Sequence, residues 1–166
     1  RVVGSPWRVN LVYMNDEVNE DLIGKLQPDL ARDGHVYSLN INRTILFSKA
    51  FDLRPRISLR KGDYDGESNS FSKVKIGLDA RYTIGQLSLL PQIAYSRSEY
   101  DKIDPIFDKT RTNDGYEAKL LMNYLAPFGI EDWSAQVLLA FSRGESNITF
   151  YDTESVTMGC FFTWTF

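Results

Sequence analysis

The stretch VTMGCFFTWTF, residues 156–166, decides how the rest of the chain is read. In an extended strand successive side chains point to opposite sides, so Val156, Met158, Cys160, Phe162, Trp164 and Phe166 share one face. Thr157, Gly159, Phe161, Thr163 and Thr165 share the other. Strict period-two alternation is the signature of a strand with two different surroundings, not of a helix. Here one of those surroundings is apolar to the last residue.

Working back toward the N-terminus, the same alternation recurs. Trp133, Ala135, Val137, Leu139 and Phe141 form an apolar face, as do Tyr116, Ala118, Leu120, Met122 and Tyr124. Further faces are Leu87, Leu89, Pro91, Ile93 and Tyr95; Val74, Ile76, Leu78, Ala80 and Tyr82; and Leu53, Pro55, Ile57 and Leu59. Two more strands run over 7–15, with Trp7, Val9, Leu11 and Tyr13 on the apolar side, and over 35–47, with Tyr37, Leu39, Ile41, Ile45 and Phe47. The total is eight. The intervening segments alternate between long (16–34, 62–70, 99–114, 145–151) and short (48–51, 84–86, around Gly129), so the long ones gather at one end of an up-and-down sheet. That asymmetry, and the even strand number, are those of outer-membrane barrels, whose periplasmic turns are short and extracellular loops longer.

Composition agrees with this reading without deciding it. The 166 residues carry a formal net charge of −3 and are 25% charged, and no run approaches the roughly 18 apolar residues of a spanning helix. Strands that alternate apolar and polar residues hide a membrane protein inside such an average. The absence of a linker-like composition shift makes 1–166 one domain. Arg1 is not followed by a charged and then apolar leader, so any signal peptide or upstream part of a longer precursor is expected to lie before it. The single cysteine, Cys160, excludes an internal disulfide and a cysteine-based zinc site. No basic tract accompanies the net charge, which argues against a nucleic-acid partner.

A soluble barrel also alternates, but it fills its interior with apolar side chains. In this chain the polar faces carry the charge: Arg8, Arg54, Arg56, Arg60, Lys73, Lys75, Asp79, Arg81, Glu117 and Lys119. The apolar faces end in aromatics, with Trp7, Phe47, Tyr82, Tyr124, Trp133, Trp164 and Phe166 toward one rim and Tyr13, Tyr37, Tyr95, Tyr116 and Phe141 toward the other. Tyr and Trp prefer the membrane–water interface because each joins an apolar ring to a polar tip. The expectation is therefore an all-β protein, a transmembrane antiparallel up-and-down barrel of about eight strands in the bacterial outer membrane, both termini periplasmic. Its partners would be outer-membrane lipid and, during insertion, the barrel assembly machinery. Asp79 and Glu117 are expected to bridge several basic groups, leaving Arg56, Arg60 and Lys75 least compensated. Pro55 and Pro91 fall inside strands, where each removes a ladder hydrogen bond. Arg43 falls on the apolar face unless a bulge over 40–44 turns it inward.

Two loop stretches go beyond the pattern. PIFDKTR (105–111) and ESNITFYD (145–152) resemble loops of the C-terminal barrel of the surface lipoprotein assembly modifier family, over about the last two-thirds of this chain. The resemblance implies help in the secretion or surface display of lipoproteins or host-interaction proteins, with Phe107, Lys109, Arg111, Asn147, Phe150 and Tyr151 as partner-binding residues. It also implies periplasmic helical repeats and a larger barrel of fourteen strands, for which this chain has no room. The alternative is a small structural or adhesion-type barrel that meets an external partner through its loops. In that case the aromatic loop residues pack over one another at the mouth. The acidic loop 16–33, with Leu22, Ile23, Leu26 and Leu30 at helical spacing, is a further candidate partner surface or lid.

Enzymatic chemistry finds little purchase. His35 is the sole histidine, at a strand boundary near Ser38, and no metal, calcium or phosphate-binding motif is present. No catalysis, cofactor or metal is expected.

Overall fold

A computed structural model describes residues 3–18, 22–26 and 28–164. The protein is all-β: strands β1 (Val3–Gly4), β2 (Arg8–Asp16), β3 (Gly34–Asn42), β4 (Ile45–Leu46), β5 (Phe51–Tyr64), β6 (Phe71–Ile84), β7 (Leu87–Asp104), β8 (Lys109–Leu125), β9 (Trp133–Ser146) and β10 (Thr153–Trp164) form one antiparallel sheet. A five-residue helix, α1 (Leu22–Leu26), interrupts the acidic loop.

The ten segments follow eight tracks. β3 and β4 both pair with β5 in one unbroken register, Asn42 facing Arg56 and Ile45 facing Leu53. The gap between them lies opposite Pro55, which accepts a hydrogen bond from the Arg43 N–H at 3.3 Å but has no N–H to return. β1 and β2 divide for another reason. Their pairing with the neighbouring track slips by one residue between Gly4 facing Ile45 and Arg8 facing Asn42, a bulge around residues 5–7. The second proline behaves like the first. Pro91 keeps its register with Leu120 of β8, while the β6–β7 ladder lapses between Gln92 and Leu89.

At one end the strands are joined by tight connections. Gly85, at φ +56°, supplies the left-handed backbone of the β6–β7 turn, a conformation that costs glycine little. The other end is longer but more ordered than its sequence suggests. The span 99–114 is not a loop: β7 and β8 continue past an irregularity between Glu99 and Ile103 and pair again at Ile103–Thr110 and Asp104–Lys109. The loop between β2 and β3 folds against residues 66–70, with the Asn69 amide donating to the carbonyls of Leu30 and Ala31 at 2.9 and 3.0 Å and Ser68 Oγ donating to Asp29 O.

Burial is inverted relative to an ordinary domain. Among the described residues only Val36, Ala126, Pro127 and Ile148 are buried apolar side chains, while Asp52, Ser68, Ser70, Asp79, Ser96, Ser98 and Asp104 are buried polar ones. Leu11 is 81% exposed and Met158 76%. The sheet curls around its polar face, which bounds a cavity of about 390 Å³ lined from Arg60 of β5 to Thr153 of β10. The outer strands of the sheet, β2 and β10, are not paired with each other.

Candidate functional site: apolar band, inner charges and loop crown

On the apolar face the hydrogen-bonded rows run diagonally through three chemistries. One row passes from Val9 through Ile41, Ile57 and Ile76 to Tyr95 and Tyr116, and ends at Arg143 and Glu154. A second, nearer the tight turns, starts on aromatics at Phe51 and Tyr82 and passes to Leu89, Met122, Val137 and Cys160. The aliphatic residues therefore form a belt slanted across the strands. Aromatics flank it on both sides. Tyr13 and Tyr37, and Tyr95 and Tyr116, are cross-strand pairs with centroids 5.4 Å apart at the loop end, and Trp133 and Trp164 pair at 6.4 Å at the turn end. Trp7 and Tyr124 lie at that same end, and Phe166 lies outside the described residues.

Arg43 stays on the apolar side, since the neighbouring bulge is in residues 5–7 and the β3–β4 track keeps its alternation. Its guanidinium sits 5.6 Å from the Trp7 ring centroid and donates from Nε to the Ser5 carbonyl at 3.0 Å. A cation over an indole face retains a partner without leaving the rim.

On the polar face carboxylates and bases interlock. Asp79 accepts hydrogen bonds from Arg54, the nearer nitrogen at 2.9 Å, and forms an ion pair with Arg56 at 3.0 Å that lacks hydrogen-bond geometry. Arg81 binds Asp52 at 2.5 Å, and Lys75 reaches across β7 to Glu117 at 2.7 Å. Asp79 bridges two bases as expected, and Glu117 holds one. Two expectations fail, because Arg56 and Lys75 both have partners. Among the described residues, the inward cations for which no ion pair is seen are Arg60 and Lys73, together with Lys119 and the peripheral Arg8. Asp52 was missed as an inward residue, although its alternation with Arg54 and Arg56 along β5 would have found it.

The two loop motifs meet. Tyr151 donates from its hydroxyl to Asp104 Oδ2 at 2.7 Å, while Asp104 Oδ1 accepts the backbone N–H groups of Ile106 and Phe107. Arg111 lies between two rings, 3.6 Å from the Tyr100 centroid and 4.1 Å from that of Tyr151. Asn147 accepts from the Thr112 N–H and donates to the Thr110 carbonyl, and Phe107 packs on Phe150 and Tyr151 with centroids at 5.4 and 5.8 Å. Burial pushes the Asp104 carboxyl upward, but the hydrogen bonds from Tyr151, Ile106 and Phe107 and the nearby Arg111 outweigh it and hold it below the ordinary carboxylate value. Burial and then the Asp104 carboxylate push the Tyr151 phenol above its ordinary value. Of the six residues the loop motifs single out, Phe107, Arg111, Asn147 and Tyr151 are engaged within the crown. Phe150 contributes one edge to it and exposes the rest, and Lys109 is on the exposed strand end.

His35 Nδ1 lies 3.0 Å from the Tyr13 hydroxyl, a contact between neighbouring strands. Among the described residues no group of three or more His, Cys, Asp and Glu is placed to hold a metal ion.

A search of curated proteins finds no match. A family model described as "Protein of unknown function (DUF2860)" matches residues 1–161. The match spans almost the whole sheet, inner charges and loop crown alike, and the chain belongs to the DUF2860 family.

Proposed function

We propose that this chain is a barrel of the bacterial outer membrane that presents a rigid crown of loops to the outside, both ends of its sheet lying at the periplasmic rim. The observation that carries the reading is the inversion of burial. A face of exposed Leu, Ile, Val and Met between two aromatic rims has no favourable place in water, where each fully exposed large aliphatic side chain forgoes about 1.5–3 kcal/mol. Lipid supplies that place. It also requires that β2 and β10 find partners, since unpaired N–H and C=O groups are costly in hydrocarbon.

The register supports direct closure of β2 on β10. The row that starts at Val9 reaches β10 at Glu154, near the loop end, whereas Phe162 and Trp164 lie eight and ten residues farther along, at Val9's own level. Joining either to Val9 gives a stagger of about eight to ten residues over eight tracks. With a rise of about 3.3 Å per residue and a strand spacing of about 4.8 Å, this is a tilt of roughly 35–40°, inside the range of closed barrels.

A cross-link tests closure and lipid together. In a Cys160→Ser background, Val9→Cys combined with Phe162→Cys or Trp164→Cys should form an intrachain disulfide after folding into phospholipid vesicles. Labels at Leu11 and Met158 should be quenched by brominated acyl chains, and labels at Asn10 and Gly159 should not. Cross-links only between chains, or equal quenching at all four positions, would defeat the reading.

A second reading, assistance in secretion or surface display of a lipoprotein or secreted client, is favoured by the loop motifs and by the exposed Ile106 and Phe150 at the crown. Ile106→Ser with Phe150→Ser should then lower client display at unchanged barrel abundance. Unchanged display would leave the crown as an adhesion-type or structural surface.

A further inference from the structure

On the polar face one row of the described residues sets two cations against each other. Arg60 and Lys73 face each other directly across β5 and β6, and Lys75 follows two residues on from Lys73 on the same side. Directly opposed like charges destabilise a strand pair. Glu117, a carboxylate that lines the same cavity, is paired with Lys75. Arg60 finds a ring, Phe71, with its centroid 5.6 Å away, but its Nε is sealed from solvent without a hydrogen-bond partner.

The same rows continue into hydroxyls. Lys73 faces Ser98, which faces Asn113, and Lys75 faces Ser96, which faces Gly115 and then Gly144. Ser96 and Ser98 are buried, and the side-chain carbonyl of Asn113 is sealed and unpartnered. A side chain at Gly115 would come within 2.7 Å of Ser96 Oγ, and one at Gly144 within 2.6 Å of Thr153 Oγ1. Both glycines thereby keep room at a wall of hydroxyl groups. Phe71 and Tyr100 close the loop side of the cavity, whose volume of about 390 Å³ is large enough for a small solute. Buried like charges persist when water or an anion meets them, and the donors here are set for oxygen atoms.

We infer that this inner cavity binds a small hydroxyl-rich anion, of the chemical class of a uronic acid. Its carboxylate would lie between Arg60 and Lys73, and its hydroxyl groups would face Ser96, Ser98 and Asn113. The inference deepens the barrel reading by giving the lumen an occupant, and it rests on that reading for the enclosure of the site.

The test uses the full chain folded in zwitterionic detergent, with folding followed separately by its β-sheet circular dichroism and its heat-dependent electrophoretic mobility. A failure of the barrel is thus seen apart from a failure to bind. Calorimetric titration with galacturonate at low ionic strength should saturate, galactose should bind at least about tenfold more weakly, and inorganic phosphate should compete, because one charge-assisted contact is worth roughly that factor. Arg60→Gln and Lys73→Gln should each weaken galacturonate about tenfold. In anion-free buffer each should also melt no lower than the parent, since the substitution removes a repulsion. The inference is overturned by a folded chain that binds no galacturonate, by galactose binding as tightly as galacturonate, by phosphate binding alone, or by affinity that survives in the double variant. A lowered melting temperature for both single variants in anion-free buffer would also overturn it, by showing that these cations hold the sheet together.

Discussion

The two sides of β6 share one backbone and obey different rules. Outward, Val74, Ile76, Leu78 and Ala80 meet other aliphatic residues, and any of them could be exchanged for another of like size. Inward, Lys73, Lys75, Asp79 and Arg81 depend on particular partners, Asp79 on two at once. The outer face is specified by class and the inner face by identity. The reason is physical: burial in hydrocarbon is non-directional and scales with area, whereas an inward charge needs a counter-charge within hydrogen-bond reach.

A single charge on the outer face should therefore do more damage than the loss of one on the inner face. Leu78→Arg places a guanidinium at the middle of the apolar band, far from the rim where Arg43 finds Trp7. It should cost about 2–4 kcal/mol in lipid, measured by urea unfolding from vesicles. The same substitution at Ser72, outside the band, should cost less than about 1 kcal/mol. Equal effects at the two positions would break the distinction between the faces.

On the inner face, Asp79→Asn leaves Arg54 and Arg56 side by side on β5 without their shared anion. The expected loss is about 1–2 kcal/mol, below the full cost of breaking a buried pair, because both arginines remain partly exposed and screened. Adding Arg54→Gln to Asp79→Asn should recover part of the loss in the urea midpoint. No recovery would mean that Asp79 acts through the backbone rather than through its bases.

The sequence showed the outer face almost completely and the inner face only in part. Period-two alternation from Trp7 to Trp164 places the apolar belt because it needs no knowledge of which strand meets which. The eight tracks survive even where Pro55 and the residue 5–7 bulge split two of them. Ion pairing depends on register, and register was not legible. Lys75 finds Glu117 two strands away, which no spacing along the chain announces, and Arg56 appeared unpaired for the same reason. In the sequence the span 99–114 has the composition of a loop, because Asp, Asn, Thr and Gly favour turns, yet the β7–β8 ladder carries those residues beyond the aromatic rim. The packing of Phe107, Phe150 and Tyr151 on one another is one of the two arrangements the loop motifs offer in the sequence, whereas the Asp104 acceptor of Tyr151 and the stacking of Arg111 are not announced by any spacing.

That mutual binding makes the crown sensitive to acid. The Asp104 carboxyl is held below its ordinary value, so its contribution to the crown is full above the unfolded carboxylate value of about 3.9 and is lost as pH falls through the lower folded value. Hydrogen exchange at the Ile106 and Phe107 amides should rise, relative to the β-ladder amides, once pH drops below about 4. Asp104→Asn should show the faster exchange already at pH 7 and no further step in acid. A crown that loosens in parallel with the whole sheet would show that the loops have no separate stability.

The smallest expected effect lies at the opposite end, in the β8–β9 turn. Phe128 is 96% exposed and adopts φ +59°, ψ +19°, between Ala126 at φ +47° and Gly129 at φ +80°. For a residue with a bulky side chain this left-handed backbone costs roughly 1–2 kcal/mol, and the ring meets nothing that would offset it. Asparagine tolerates the same backbone and adds less unfolded-chain entropy than glycine would. Phe128→Asn should therefore raise stability by up to about 1 kcal/mol in detergent. In vesicles the gain should shrink if the exposed ring reaches the lipid headgroups, where an aromatic side chain is favoured. The difference between the two urea midpoints reads out that contact: an equal gain in both media places Phe128 in water, and a gain confined to detergent extends the aromatic girdle down to the turn itself.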